Sequence, residues 1–194
     1  MHSRYLPLSA AILTLVTVGA CQGLRAEVGQ DQGHQHAAAA AAFADVASLI
    51  AVMRPTDGNQ VGGTVTFTPV DDGVQVVADI TGLSANGTHA IHVHQYGDAR
   101  AADGTSAGGH YNPGGHDHGL PEQEHRHAGD FGNLQSDADG TAQMTLTVDN
   151  ISLTGAHAVI GRSVIIHAKK DDGGQPTGNA GPRIGIGVIG VAKP

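Results

Sequence analysis

The segment TAQMTLTV (residues 141–148) alternates strictly between polar and apolar side chains. Successive side chains of a β-strand point to opposite faces, so this spacing predicts a strand with one buried face and one solvated face. The predicted buried face carries Ala142, Met144, Leu146 and Val148. The segment therefore indicates an antiparallel sheet that packs on one side only.

Seven other segments after Ala44 have strand character and are separated by turns rich in glycine, aspartate and asparagine. These predicted strands are residues 47–53, 63–68, 74–80, 88–95, 131–134, 163–168 and 184–192. No stretch after Ala44 has a convincing 3.6-residue period, so no helix is predicted there. Eight strands predict an all-β fold, either an antiparallel sandwich or a flattened barrel.

Composition supports this fold and excludes one class of partner. The 29 glycines and eight prolines favour tight turns, and the absence of tryptophan leaves the core to Val, Ile, Leu and Ala. The chain has 18 acidic and 10 basic residues, which gives a net charge of −8. Nucleic acids bind clustered cations, so we expect no nucleic-acid partner.

The N-terminus has the features of an export signal. Arg4 precedes a mainly apolar stretch, residues 6–18, which is too short to span a bilayer. Small residues follow at positions 19 and 20, so residues 1–20 are predicted to be a secretory signal peptide.

Cys21 is the only cysteine of the chain, and the run Val18-Gly19-Ala20-Cys21 resembles a bacterial lipobox. The prediction is an exported lipoprotein, periplasmic or at the cell surface, held to a membrane by a lipid on Cys21. The alternative is a plain signal peptide with an incidental cysteine. Residues 21–43 would form a flexible tether and residues 44–194 the folded domain, while the role of His34 and His36 in the tether stays open.

Histidines supply the first evidence of a metal site, because most of the 13 lie between His89 and His127. His92 and His94 are two positions apart on a predicted strand, which places both on one face. Taken alone, the pair could equally be polar residues on a solvated face. His167 ends another predicted strand and, taken alone, would be a hydrogen-bonded buried histidine.

Two long connections, residues 97–130 and 169–183, interrupt the strands, and long loops of compact domains are usually functional or disordered. The first offers His110, His118, His127 and Asp130. Three imidazoles and one carboxylate suit tetrahedral zinc, whereas a set of imidazoles alone suits copper. The alternative is a solvated, glycine-rich loop, in which His116 and His125 would be either competing ligands or solvated side chains.

Five blocks of the sequence resemble the copper–zinc superoxide dismutase family and follow the family's order over residues 44–194. The resemblance implies an eight-stranded Greek-key β-barrel. The blocks are His92-Val-His94 with Tyr96-Gly-Asp, Gly-His110-Tyr-Asn-Pro, His127-Ala-Gly-Asp130-Phe-Gly-Asn-Leu, Ile160-Gly-Arg-Ser-Val-Ile-Ile-His167 and Gly178-Asn-Ala-Gly-Pro-Arg183.

The resemblance also implies a role for each site residue. Copper would be held by His92, His94, His110 and His167. Zinc would be held by His110, His118, His127 and Asp130, with the imidazole of His110 shared by both metals. Asp171 would tie a copper ligand to a zinc ligand, Arg183 would attract an anion to the open copper position, and Thr177 would narrow the channel.

The implied activity is dismutation of superoxide to dioxygen and hydrogen peroxide. The alternative is a lipid-anchored protein that binds copper and zinc without turnover. Arg183 and Thr177 favour the enzyme, because a metal buffer needs no channel for an anion. The expected partners are the superoxide anion, a membrane and a second copy of the chain in a homodimer, although the sequence leaves the oligomeric state and the choice of membrane open.

One departure from the family concerns a disulfide that usually ties the long loop to the barrel. The corresponding cysteines would fall near Gly104 and Ile186, and neither position is cysteine. The loop is therefore expected to be fixed by zinc and by packing.

Overall fold

The structure is a computed structural model that describes residues 46–194. It contains eight strands, and the prediction of an all-β fold is confirmed. The strands are β1 (Leu49–Pro55), β2 (Gly62–Val70), β3 (Gly73–Thr81), β4 (Thr88–His94), β5 (Asp130–Gln135), β6 (Ala142–Val148), β7 (Ser163–His167) and β8 (Arg183–Val191). The predicted signal peptide (1–20), Cys21 and the rest of the predicted tether, including His34 and His36, lie outside the described residues.

All eight strands pair with antiparallel neighbours in the order β5-β4-β7-β8-β1-β2-β3-β6. The connections from β3 to β4 and from β6 to β7 cross between strands that are not neighbours, as in a Greek key. The sheet curls into a nearly closed barrel whose edge strands are β5 and β6. Because β4 lies beside β7, histidines on these two strands can approach one another.

The core forms where the inward faces of the strands meet. The predicted inward residues of β2 and β3 are buried, and the rings of Phe67 and Phe131 lie 6.3 Å apart between their centroids. Each fully buried side chain of this size contributes about 1.5–3 kcal/mol. On β6, Ala142 and Val148 are buried whereas Met144 is only half-buried, because an edge strand is covered less completely.

The strand ends differ from the prediction by one or two residues. The sequence predicts residues 63–68 for β2, but the pairing with β3 continues from Gly62 opposite Thr81 to Val70 opposite Gly73. Backbone hydrogen bonds extend a hairpin beyond the residues whose side chains alternate, so the hydrophobic pattern underestimates its length.

Three long connections leave the barrel, of which the sequence singled out two. Residues 95–129 join β4 to β5 and residues 168–182 join β7 to β8. The third, residues 149–162 between β6 and β7, also packs against the core through Ile151, Leu153 and Val159.

Among residues 46–194 the only helical segment is the single 3-10 turn Thr105–Ala107, and the described part of the chain has no helix long and apolar enough to cross a membrane.

Packing and one arginine hold the loop at the place where the family usually has a disulfide. Ala107, in the 3-10 turn, is fully buried and clusters with Ile165 and Ile186. Gly104 has a φ of 75° and accepts a hydrogen bond on its carbonyl from Arg183 Nη1 at 2.5 Å. These contacts hold the first half of the 95–129 connection against the barrel without a covalent link.

Candidate metal centre

Strand β4 places two histidines side by side in the protein interior. Ile91 and Val93 belong to the barrel core, so alternation turns His92 and His94 to the opposite face, where both are also buried. The end of the neighbouring strand β7 brings His167 close, with ring centroids 5.1 Å from His92 and 5.5 Å from His94.

The 95–129 connection adds a fourth imidazole. An isolated β-bridge pairs His94 with His110, and the His110 ring centroid lies 3.9 Å from that of His92. One nitrogen from each ring lies within 4.8 Å of the others in this four-histidine group, which consists of His92, His94, His110 and His167.

A second set of potential ligands shares His110 with the first. One atom from each residue again lies within 4.8 Å of the others in this mixed group, which consists of His110, His118, His127 and Asp130. Asp130 Oδ1 is 2.8 Å from His110 Nδ1, and Asp130 Oδ2 is 3.0 Å from His118 Nδ1. Since Nδ1 of His110 faces the mixed group, its Nε2 is left for the four-histidine group.

The pattern of hydrogen bonds shows which atoms could hold a metal. The other ring nitrogen of each member of the four-histidine group has a partner; for example, His94 Nδ1 donates to Gly108 O at 2.9 Å and His167 Nδ1 donates to Gly181 O at 3.1 Å. In each ring the remaining nitrogen is buried and has no hydrogen-bond partner: His92 Nδ1, His94 Nε2, His110 Nε2 and His167 Nε2.

An unsatisfied buried polar atom costs about 1–3 kcal/mol, so four such atoms directed at one point fit a cation. A ligand set of imidazoles alone fits copper. In the mixed group, His118 Nδ1 is likewise buried; it lies 3.0 Å from Asp130 Oδ2 but makes no aligned hydrogen bond, and three imidazoles with a carboxylate fit tetrahedral zinc. Both donor sets therefore match the metals that the sequence implies.

Asp171 joins the two groups. His92 Nε2 donates to Asp171 Oδ2 and His118 Nε2 donates to Asp171 Oδ1, both at 2.9 Å. The side-chain amide of Asn133 forms hydrogen bonds with the backbone of this aspartate. Its Oδ1 accepts from Asp171 N at 2.7 Å, and its Nδ2 donates to Asp171 O at 3.0 Å. A carboxylate of this kind fixes the tautomer and the orientation of ligating imidazoles.

Gly178 permits this arrangement by lacking a side chain. A Cβ at this position would lie 2.8 Å from His118 Nε2 and collide with Asp171 Oδ1, and the residue has a φ of 72°. Sequence reasoning identified the Gly178–Arg183 block but assigned no role to Gly178 or to Asn133. Their positions in the sequence do not indicate that either residue contacts Asp171.

Burial keeps most of these imidazoles neutral. It lowers the pKa of His110 to about 4 and that of His167 to about 3, and it holds the pKa of His94 well below its usual value. His118 differs: burial opposes its protonation, but Asp130 and Asp171 outweigh this effect and raise its pKa to about 9. The four-histidine group therefore presents neutral lone pairs, the form of imidazole that binds metals.

Asp130 stays ionised for a related reason. Burial alone would raise the pKa of its carboxyl group, but the close imidazoles of His110, His118 and His127 hold it far below its ordinary range. A permanent negative charge at this point completes a ligand set suited to a divalent cation.

Arg183 lies at the start of β8, half-buried beside the four-histidine group. Its Nη2 donates to Gly108 O at 2.6 Å, and the same carbonyl accepts from His94 Nδ1. Burial lowers the pKa of this guanidinium, while the charge of Asp103 opposes that shift. Arg183 therefore holds the 95–129 connection through two loop carbonyls, a contact that its sequence position did not reveal.

Thr177 and the remaining histidines of this region lie at or beyond the edge of the site. Thr177 is exposed in the 168–182 connection, next to Gly178. His89 is buried and structural, since its Nδ1 pairs with His167 O at 2.9 Å and its Nε2 with Ser84 Oγ at 2.8 Å. His116 and His125 are exposed and belong to neither ligand group.

Comparison with known proteins agrees with this geometry. Residues 61–189 match the model of the copper/zinc superoxide dismutase family. A relative from Schizosaccharomyces pombe, named as a copper–zinc superoxide dismutase, is 45% identical over an alignment of 152 residues that covers 74% of this chain and 97% of the relative. One of the same name from Claviceps purpurea is 44% identical over an alignment of 143 residues that covers 69% of this chain and 92% of the relative. By its fold, its two ligand groups and these matches, the chain belongs to the copper/zinc superoxide dismutase family.

Proposed function

We propose that this chain dismutes superoxide to dioxygen and hydrogen peroxide, with copper in the four-histidine group and structural zinc in the mixed group. The observation that carries the proposal is the set of four buried ring nitrogens without partners beside the charge of Arg183. When bound, copper supplies one-electron chemistry, by which one superoxide is oxidised and a second is reduced with the uptake of two protons, while zinc holds the geometry.

His110 has a role in the proton balance. Its Nδ1 lies 2.8 Å from Asp130, which orients the ring, and its Nε2 faces the four-histidine group without a partner. Because Nε2 has no other partner, it is the atom that could bind either the metal or a proton, and when it carries a proton it could deliver that proton to the peroxide product.

Arg183 and two lysines offer a local attraction to an anion on a chain whose net charge is −8. Two of the five guanidinium N–H donors of Arg183 are directed to Gly104 O and Gly108 O, which fixes the charge beside the site. Lys169 and Lys170 are exposed and follow His167 closely. Local positive potential can steer a charged substrate, an effect for which superoxide dismutase is itself an established example.

The activity can be tested on the purified protein after reconstitution with both metals. We expect one copper and one zinc per chain by elemental analysis, together with catalysed loss of superoxide. His92→Ala should lose copper and activity, whereas His157→Ala, which removes an exposed histidine outside both groups, should keep both. Two bound metals without loss of superoxide would favour the metal-binding alternative, and reconstitution without copper would refute the enzyme.

We propose also that the protein is exported and anchored by a lipid on Cys21. The support is the N-terminal sequence: a short positive start, an apolar stretch, and Val18-Gly19-Ala20 directly before the single cysteine. Cys21→Ser is expected to lose the lipid and to leave the membrane fraction, as measured by fractionation and by the mass of the N-terminal peptide. A wild-type protein found in the soluble fraction, with an unmodified Cys21, would contradict anchoring.

A homodimer is the third part of the proposal, and an exposed apolar face supports it. Tyr96 and Val52 are 59% and 58% exposed, and Val188 lies on β8, the strand beside β1, which carries Val52. The face continues through Gly97, where an added Cβ would lie 3.1 Å from a Val188 methyl carbon. Exposed apolar patches of this kind often mark protein interfaces.

Sedimentation equilibrium tests the dimer. Val188→Asp should convert it to monomer, because the charge would be buried without a partner in the interface. Val70→Asp is the matched control, since Val70 and Val188 are both 39% exposed but Val70 lies at the end of β2. A wild-type monomer, or equal effects of the two substitutions, would refute this interface.

A further inference from the structure

Two His-x-His segments run side by side in the 95–129 connection. They are residues 116–118 and 125–127, and each ends in a buried histidine of the mixed group. The ring centroids of this inner pair, His118 and His127, lie 5.4 Å apart. The outer pair, His116 and His125, has the same 5.4 Å separation but is exposed to solvent.

The spacing and inclination of the two outer rings are similar to those of two imidazoles in the four-histidine group. The two outer rings are inclined by 28°. His94 and His167, which belong to the four-histidine group, have centroids 5.5 Å apart and planes inclined by 32°. The two outer rings are therefore close enough together for one nitrogen of each to reach a common cation.

Hydrogen bonds already hold both of the segments that carry the outer pair. Asn112 Nδ2 donates to His116 O at 2.8 Å, and its Oδ1 accepts from His116 N at 3.1 Å. On the other segment, Arg126 Nη1 donates to Gln123 O at 3.0 Å and its Nη2 to Asp149 Oδ1 at 3.3 Å. Preorganisation of this kind reduces the entropy lost when a ligand binds.

Charge also favours a cation at this surface. Residues 116–126 include the carboxylates of Asp117, Glu122 and Glu124, all exposed, against the single guanidinium of Arg126. Imidazole nitrogens bind copper and zinc well, and the divalent ion with the highest affinity for such donors is copper(II).

We propose that His116 and His125 form a third, solvent-facing metal site, which binds one copper(II) ion through two imidazoles in addition to the two metals of the buried groups. Water or nearby carboxylates complete its coordination. With only two imidazoles from the protein, the site binds copper more weakly than the four-histidine group and exchanges it with solvent. It holds copper at the surface, two positions along the chain from a member of the mixed group on each segment.

The experiment uses the fully copper- and zinc-loaded protein and adds cupric ion alone. Equilibrium dialysis counts the additional copper bound per chain, and electron paramagnetic resonance detects nitrogen ligands on it. His116→Gln and His125→Gln should each lower the number of additional ions by one per chain and remove the corresponding signal. The copper and zinc bound in the buried groups should not change.

Two controls separate this site from other histidines. His157→Gln removes an exposed histidine elsewhere, and the double variant His34→Gln with His36→Gln removes the histidines of the predicted tether; both should keep the additional ion of the outer pair. The proposal is overturned if the loaded wild type takes up no further copper. It is also overturned if His116→Gln and His125→Gln together leave the uptake unchanged. Neither result would alter the evidence for dismutation, which depends on the buried groups.

Discussion

Arg183→Glu is expected to lower kcat/KM for superoxide on the order of a hundredfold, the usual effect of removing a preorganised donor from a developing or bound anion. The guanidinium donates to the carbonyls of Gly104 and Gly108 at 2.5 and 2.6 Å, and its charge contributes to the lowered pKa of His94 and His167. A carboxylate there would repel both the carbonyl oxygens and the substrate. The measurement is kcat/KM, with the copper and zinc content determined for each variant.

Arg183→Lys is the matched control, because it keeps the positive charge but loses the planar guanidinium, which donates hydrogen bonds to two carbonyls at once. It should retain more activity than the glutamate variant. The exposed pair Lys169 and Lys170 supplies a second comparison: replacing both with glutamine should weaken only the longer-range attraction, and the loss should shrink as ionic strength rises. If fully metallated Arg183→Glu reacts as fast as the wild type, the assignment of Arg183 to the substrate path is wrong.

Removal of both metals is expected to lower the melting temperature on the order of 10 °C or more. Demetallation leaves five buried ring nitrogens without hydrogen-bond partners, each at a cost of about 1–3 kcal/mol, and a change of 1 kcal/mol shifts the melting temperature of a chain this size by about 2–4 °C. Metal that binds only the folded state adds stability by mass action. Calorimetry of the loaded and chelated protein measures the difference.

Thiol reductant serves as the control for this experiment. With Cys21 as its single cysteine, the chain has no internal disulfide to lose, so reductant should leave the melting temperature of the loaded protein unchanged. If chelation shifts the temperature no more than reductant does, the contacts of Ala107 and Arg183 hold the long loop without help from the metals.

The fold was predictable from sequence where side chains alternate. The pattern of residues 141–148 corresponds to β6 within one residue, and the predicted buried face of β3 is fully buried in the structure. The 149–162 connection was not singled out, because its buried residues, such as Ile151 and Val159, follow no regular period. A loop that packs by tertiary contact leaves no periodic signal.

The candidate site was predictable in part for a similar reason. His92 and His94 are paired by strand periodicity, and the family motifs supplied the remaining ligands. The contributions of Asn133, Gly178 and the Gly108 carbonyl were not predictable, since each depends on a contact made only in the folded chain. A carbonyl group is present at every residue, so only the three-dimensional structure shows which one accepts from both His94 and Arg183.

The carboxylate of Asp171 has a thermodynamic consequence, because it holds His92 of one group and His118 of the other at the same 2.9 Å. An ion that fixes either ring reduces the freedom left to Asp171 and therefore to the other ring. By linkage, the factor by which zinc changes the affinity for copper equals the factor by which copper changes the affinity for zinc. The order in which the two ions arrive therefore changes the path of assembly and leaves the total binding free energy the same.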